Sequence, residues 1–397
     1  MLVLLRSSKP LCALGLLLAA GCSGSGKSST PPPTAPSVTA QLPPVTTVRG
    51  GPTETPSAVR IGSSTSPGAG DAGTRGRRVL INEAETLLLT DPDGANRRKI
   101  AENVSAAAFS PDGNLVAYAD KQGVYVLSLL DGLSVSLAKV TEGQVDNLAW
   151  SPDQKHLAFY MATSPQNWNL LLASYPPVGD APRNLGHWYE SISFSPNGKF
   201  IVHPSFDATG AAGPPAFLET VNVETGKRES IYRGATTIWE AKYAPDGSSI
   251  AFIMAKMAPV RQIADDDEPE CGGPQTDLWI LPLESKTPVK IMDRAFDFEW
   301  SPDGRWLAIE QGTDDCTSPP GDAAVLISSP DGKQQFQISK NAPSIRARFS
   351  PDSKRVMFVE FDASRFVIGD LKTRELTTLA DDDRRTGIYD LWICDWK

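Results

Sequence analysis

One short phrase is written six times along the chain, and nothing else in the sequence limits the available folds as strongly. The copies are Phe109-Ser110-Pro111-Asp112-Gly113, Trp150-Ser151-Pro152-Asp153, Phe194-Ser195-Pro196-Asn197-Gly198, Tyr243-Ala244-Pro245-Asp246-Gly247, Trp300-Ser301-Pro302-Asp303-Gly304 and Phe349-Ser350-Pro351-Asp352. Successive prolines stand 41, 44, 49, 57 and 49 residues apart, the period of a four-stranded propeller blade and not of a helical repeat. Proline presets φ at the second position of a tight turn, the short Asp or Asn side chain bonds back to nearby backbone, and Gly takes the positive φ that ends the turn. A hairpin is expected at each copy.

The strands flanking these turns read as buried on both faces. Leu115-Val116-Ala117-Tyr118 and Trp306-Leu307-Ala308-Ile309 are apolar at nearly every position, as expected where neighbouring sheets cover both sides. Six four-stranded units account for residues 104 to about 380. Three strand-like pieces remain upstream (Val79 to Asn82, Thr86 to Thr90, Arg98 to Ala101) and one downstream (Tyr389 to Ile393). Three plus one makes a seventh blade assembled from both ends of the chain, which removes the exposed sheet edges an open array would leave. The expected fold is an all-β, seven-bladed propeller over residues 78–397, with six blades and loosely attached ends as the alternative.

The N-terminus supplies an address. Arg6 and Lys9 form a positive region, Leu11 to Ala20 an apolar stretch too short to span a bilayer, and Ala19-Ala20-Gly21 a small-residue cleavage site before Cys22. Residues 1–21 resemble a bacterial lipoprotein signal, which implies that Cys22 becomes an acylated first residue and the anchor at a membrane. By analogy, the absence of Asp at position 23 favours the outer membrane. Residues 22–77 are rich in Ser, Thr, Pro, Gly and Ala, a composition expected to give a disordered spacer. Gly21 to Ser28 fits the phosphate-loop pattern, but no buried strand precedes it and Pro31-Pro32-Pro33 follows, so no nucleotide is expected there.

Catalytic constellations are scarce. His156, His187 and His203 share no metal-ligand spacing, and no G-x-S-x-G elbow occurs. His156 is expected to open a strand, His187 to sit in a connection and His203 to end a strand. The runs Asp265-Asp266-Asp267-Glu268 and Asp381-Asp382-Asp383 lack the alternating spacing of a calcium loop. No catalytic residue, metal or cofactor is assigned. Of five cysteines, Cys12 leaves with the signal and Cys22 carries lipid. Cys271 and Cys316 fall in equivalent second-to-third-strand connections of successive blades and are the expected disulfide; Cys394 is left over. A net charge of −9 argues against nucleic acid or an anionic membrane surface as partner.

Connection length is asymmetric. First-to-second and third-to-fourth turns are short, whereas second-to-third connections are expanded at Met161 to Asn167, Pro204 to Pro215, Ala255 to Thr276 and Gln311 to Asp322. Long loops gathered on one rim of a rigid scaffold are where binding usually resides.

Through the six phrases and the turn Thr90-Asp91-Pro92-Asp93-Gly94-Ala95-Asn96, the chain resembles the TolB-like propeller family, built of WD40-like repeats with a Pro-Asp core. The resemblance covers residues 79 to 397. It implies a periplasmic or surface-facing envelope setting and a protein partner. The apparent lipid anchor and long spacer depart from the family pattern, and no stretch resembles its separate N-terminal domain. The expected function is non-enzymatic binding of a protein or envelope polymer through the long-loop rim. The alternatives are a propeller-type polysaccharide lyase or hydrolase, and a module sensing an extracellular signal.

Overall fold

The computed structural model describes residues 59–60, 78–140, 143–164, 167–178, 181–187, 191–206, 216–234, 237–256, 275–312, 323–339, 344–360, 365–379 and 391–397. They form seven antiparallel sheets, each with four strands in meander order, one of which carries a short fifth strand. Blade 1 shows the pattern: Ala106–Phe109, Leu115–Ala119, Gly123–Ser128 and Leu133–Lys139 run from the inner edge to the outer. The inner strands of blades 2 to 6 are Gln144–Trp150, Ser193–Phe194, Thr237–Tyr243, Ala295–Trp300 and Ser344–Phe349. Blade 7 is composite. Its inner strand is Leu391–Trp396, followed outward by Val79–Glu83, Thr86–Thr90 and Arg98–Ala101.

The apolar core shows why the sheets close into a ring. It divides into seven main clusters, each shared by two adjacent blades. One joins blades 1 and 2 through Ala117, Val126, Leu157 and Phe159, another blades 2 and 3 through Tyr160, Leu170 and Ile201. The series continues through Leu218 and Phe252, Ile253 and Phe298, and Val325 and Phe358. Two clusters then close the circle: Met357 and Val359 of blade 6 pack on Ile81 and Trp396 of blade 7, and Leu80 and Leu87 of blade 7 pack on Val116 and Tyr118 of blade 1. Alternate residues of a strand point to opposite faces. Leu80 therefore serves one neighbour and Ile81 the other, which is why these strands read as continuous apolar runs.

The junction between the chain's two ends is regular pairing. Val79 lies opposite Trp396 and Asn82 opposite Trp392. Beyond the strand ends the Lys397 N–H donates to the Arg78 carbonyl at 2.8 Å, and the Arg78 N–H donates back to the Lys397 carbonyl. The closing strand runs from Leu391 to Trp396, three residues further than the Tyr389 to Ile393 segment expected from sequence. Trp396 thereby takes the place that the leading aromatic of the phrase holds in the other blades. The pair Asp395-Trp396 repeats the Glu299-Trp300 step of blade 5, but no Pro-Asp turn follows to mark it.

The repeated phrase forms the turn between first and second strands in six blades. In five of them the Ser hydroxyl donates to the Asp or Asn two residues on, at 2.6 Å for Ser110, 2.7 Å for Ser151, 2.8 Å for Ser195, 2.7 Å for Ser301 and 2.6 Å for Ser350. The same hydroxyl accepts the N–H five residues on, for example Leu115 at 2.9 Å and Trp306 at 2.9 Å. Blade 4 has Ala244 instead, and there Ser248 bonds Asp246 at 2.8 Å. The tetrapeptide Ser329-Pro330-Asp331-Gly332 repeats this geometry at the third-to-fourth turn of blade 5, with a 2.6 Å bond from Ser329 to Asp331. Hydrogen bonds from Ser329 and Lys333 hold the Asp331 carboxyl down at about 2.

Four expectations change. His187, expected in a connection, pairs opposite Asn169 at the end of the outer strand Arg183–His187, and the third-to-fourth connection of blade 2, expected short, takes eight residues, 175–182. The Met161 to Asn167 connection is mostly strand: His156–Ser164 and Asn167–Ser174 pair through Ser164 and Asn167, so blade 2 has a long hairpin and not an expanded loop. His203 does not end its strand. Pro204 continues the pairing opposite Leu218 within Phe200–Phe206, and the Pro204 carbonyl lies 2.9 Å from His203 Nδ1.

Replacing Trp396 by Ala is expected to destabilise the propeller by about 3–5 kcal/mol, the usual cost of truncating a large buried aromatic. Trp396 is buried between blades 6 and 7 with the Arg355 guanidinium 5.3 Å from its ring. Urea denaturation measures the change, with Leu130→Ala at an exposed site as the control expected to leave the midpoint unmoved.

Candidate functional site: the channel strands and the two faces of the ring

The Pro-Asp corners gather on one face, because each touches the next. Gln154 hydrogen-bonds Asp112. A methyl group added at Gly198 would sit 3.7 Å from Pro152 Cδ, one at Gly247 3.4 Å from Pro196 Cδ, and one at Gly304 3.6 Å from Pro245 Cδ. The Asp303 N–H donates to Ser353 Oγ at 3.1 Å. Gly113, at φ +72°, backs onto Lys397, whose Cβ would lie 3.4 Å from such a methyl group. All twelve expected turn positions (Pro111, Asp112, Pro152, Asp153, Pro196, Asn197, Pro245, Asp246, Pro302, Asp303, Pro351 and Asp352) lie at these corners. They form the first-to-second-strand turns, and the longest connection on their face is that of blade 2, residues 175–182.

Antiparallel order puts the second-to-third connections at the opposite ends of the strands. Those joining Phe200–Phe206 to Ala216–Asn222, Ser249–Lys256 to Gln275–Pro282 and Leu307–Gln311 to Ala324–Ser328 are the long ones. Residues 207–215, 257–274 and 313–322 themselves lie outside the described residues. So do Cys271, Cys316, Cys22, the acidic runs and the Gly21 to Ser28 segment. Cys394 lies on the closing strand.

The inner strands carry the chemistry that the sequence reading missed. The residue just before each leading aromatic is, in blade order, Ala108, Ala149, Ser193, Lys242, Glu299, Arg348 and Asp395. In blades 1 to 3 this position is small; in blades 4 to 7 it alternates in charge. Lys242 Nζ lies 2.9 Å from Glu299, 3.0 Å from Glu240 and 4.0 Å from Asp297. It also donates to the Phe298 carbonyl at 2.5 Å and sits 5.0 Å from the Phe298 ring centroid. Arg348 reaches Glu299 at 3.9 Å and donates to the Ala347 carbonyl at 2.8 Å. Glu310 accepts the Ala347 N–H at 3.0 Å. Asp395 accepts the Phe109 N–H of blade 1 at 3.0 Å.

These bonds share a physical purpose. An inner strand pairs on one side only, so its other edge presents unpaired backbone groups to the channel. The Ser110 N–H bonds the second strand, which turns the Phe109 N–H the other way, onto Asp395. In the same way Ser193 Oγ accepts the Tyr243 N–H at 3.0 Å, and Ser191 Oγ bonds both the Ala241 N–H and carbonyl, at 3.0 Å and 3.1 Å. Each is a side chain of one blade capping the edge of the next. The corresponding Trp150 and Phe194 amides follow Ala108 and Ala149, whose methyl groups cannot accept. The channel is therefore lined unevenly, with charged side chains at this position on blades 4 to 7 and small ones on blades 1 to 3; the charged groups bond edges of blades 5, 6 and 1 and the serines that of blade 4.

Five inner strands also carry one extra residue relative to their partners, at Asn147, Trp239, Phe296, the Arg346-Ala347 step and Cys394. Asn147 and Arg346 take positive φ, 50° and 61°. Such bulges add twist and re-aim side chains. No residue spacing in the sequence announces them.

Enclosure shapes the titration of these groups. Burial opposes the charge on Lys242, but Glu240, Glu299 and Asp297 outweigh it and hold the ammonium above the ordinary lysine range. Arg348 is raised likewise, by Glu299, Asp297 and Glu310 against its own burial. Asp395 is raised because burial outweighs its hydrogen bonds and the nearby Lys397 and Arg348. The histidines are elsewhere. His156 opens a second strand, His203 is buried within another, and His187 closes the outer strand of blade 2. Burial pushes the His203 imidazole down to about 4. Among the described residues no group of three or more His, Cys, Asp or Glu is placed to hold a metal ion.

No family model matches the sequence, and a search of the curated proteins finds no match. Solved structures do match. The tricorn protease superposes with a TM-score of 0.57 at 11% identity, over 79% of this chain and 36% of its own. Oligogalacturonate lyase from Vibrio parahaemolyticus gives 0.53 at 13% identity, over 77% of this chain and 86% of the lyase. TolB from Acinetobacter baumannii gives 0.47 at 14% identity, over 78% of each chain, too loose a likeness to argue from. The likeness is one of fold. It supports the propeller and leaves its activity to be argued from the residues.

Two outcomes are expected at the channel strands. Lys242→Ala removes the cation nearest Glu240, Glu299 and Asp297 and should cost about 3–5 kcal/mol at neutral pH. Asp395 titrates higher folded than unfolded, so its contribution is fully present below the unfolded value near 4 and is lost as pH rises through the folded value. Asp395→Asn, which keeps an acceptor for the Phe109 amide, should raise Tm at pH 7 and match the parent below about pH 4. Thermal melts across pH check both.

Proposed function

We propose that this chain is a non-enzymatic envelope lipoprotein, tethered at Cys22, whose propeller binds a protein or envelope-polymer partner through the face bearing the long second-to-third-strand connections. The observation that carries the reading is the contrast between the two ends of the strands. One face is closed by corners that bond to one another and by connections of at most eight residues, while the other receives connections of nine, 18 and 12 residues in blades 3, 4 and 5. Scaffold on one face and variable chain on the other is the arrangement of a binding platform.

The chemistry of those connections points to the character of the partner. Residues 257–274 contain Asp265, Asp266, Asp267, Glu268 and Glu270 against Arg261, and residues 313–322 contain Asp314, Asp315 and Asp322 with no basic residue. A basic surface is the complement of such a rim. The pairing of Cys271 with Cys316 belongs to this proposal as a staple between two of these connections.

The placement of the titratable groups favours binding over catalysis. Lys242, Glu299 and Arg348 neutralise one another, Lys242 and Arg348 also bond backbone carbonyls of inner strands, and all three histidines stand on second or outer strands, away from the channel-lining ones. The similarity to oligogalacturonate lyase, one structure of which is in complex with manganese, makes lyase activity the reading to test against.

Crosslinking and pull-down from envelope membranes should recover a partner with the full chain and lose it when residues 258–273 are replaced by a short Gly-Ser link. Equal recovery from both would remove the proposed surface. Cys22→Ser should move the protein from the membrane to the soluble fraction, and release of unsaturated products from oligogalacturonate with manganese would replace the binding reading.

A further inference from the structure

The outer strands of the blades are the ring's remaining open edges, and they differ in how they are guarded. Exposed edges invite pairing with another chain unless they are short, charged or covered. Gln335–Gln337 and Leu376–Thr378 have three residues each. Arg98–Ala101, Arg183–His187, Arg228–Arg233 and Val289–Asp293 are longer and each carries at least one charged residue, such as Arg98, Arg183, Arg228 or Lys290. The outer strand of blade 1, Leu133–Lys139, is weakly guarded, its single charge, Lys139, standing at the very end. At seven residues it is the longest of the seven outer strands, and its sequence Leu-Ser-Val-Ser-Leu-Ala-Lys holds no charge before the last position.

Among the described residues, that edge is the one that is covered. Val59 and Arg60 pair antiparallel with it, Val59 opposite Ser134 and Arg60 opposite Leu133, and make blade 1 a five-stranded sheet. The covering segment comes from the Ser-, Thr-, Pro- and Gly-rich region and includes the β-branched Val59, with Ile61 just after it, the type that suits a strand. The connection back is easy to make. Blade 7, entered at Arg78, is the neighbour of blade 1. The intervening 17 residues, 61–77, could extend roughly 55 Å, against strand spacings of about 4.8 Å.

We propose that the segment around Val59–Arg60 is a built-in edge cap: a stretch of the chain's own spacer that docks as a fifth strand on Leu133–Lys139 and keeps two copies from pairing through that edge. The occupant is specified by covalent attachment, which holds its effective concentration far above that of any free strand. The cap is independent of the partner-binding rim, whose long connections belong to blades 3 to 5.

Hydrogen exchange on the full chain tests this, comparing the parent with a Val59→Pro, Arg60→Pro double variant. Proline has no N–H to donate and is excluded from a paired central position. Exchange across Leu133–Lys139 should be on the order of tenfold faster in the variant, with the outer strand Arg228–Arg233 and the inner strands unchanged. The unchanged strands show that the ring is folded, since the substitutions lie outside it. Equal protection of Leu133–Lys139 in both proteins would overturn the proposal.

Discussion

A sheet that is apolar on both faces has to be covered twice, and most of this molecule follows from that. Two-layer packing would leave the outer faces of such sheets in water. Radial packing around an axis gives every sheet two neighbours, and the seven main apolar clusters, each shared by one pair of adjacent blades, show that the requirement is met at every junction. Ring closure is thus not an ornament added to a stable array. Without the pairing of Val79–Glu83 with Leu391–Trp396, blades 6 and 1 would each face solvent with a full set of Val, Ile, Leu and Phe side chains.

The ring creates the electrostatics of its own centre. Bringing seven inner strands together exposes seven backbone edges to one narrow space, and those groups need partners. The chain meets the need locally, with Ser191, Ser193, Lys242, Arg348, Glu310 and Asp395 each reaching a backbone group on an inner strand. A charge placed there for that reason must itself be neutralised, which accounts for the alternation of Lys242, Glu299, Arg348 and Asp395. These charges are the polar counterpart of the apolar packing between blades.

The sequence disclosed the parts governed by local rules. Pro111-Asp112-Gly113 and its five relatives are turn chemistry, read directly from residue type, and runs such as Leu115 to Ala119 declared burial on both faces. It hid what depends on the third dimension. The capping role of Ser193 or Asp395 is invisible because the groups they serve belong to another blade, fifty or more residues away in sequence or across the chain's two ends. The bulges at Asn147 and Trp239 are invisible because one extra residue in a strand changes no composition. Trp396 was within reach, since Asp395-Trp396 repeats the acid-aromatic step of Glu299-Trp300, but without the Pro-Asp turn after it the pair gave no signal. Pro204 misled in the opposite direction, looking like the end of a strand that in fact runs on to Phe206.

The composite blade also decides how the molecule would respond to being pulled. Tension on the chain upstream meets first the short pairing of Val59–Arg60 with blade 1 and, once that is released, enters the ring at Arg78, at the head of a strand flanked on one side by Leu391–Trp396 and on the other by Thr86–Thr90. Drawn along its length, that strand resists through two rows of hydrogen bonds loaded at once; drawn sideways, it yields one rung at a time. The direction of traction, more than its size, would then determine whether the ring holds or opens.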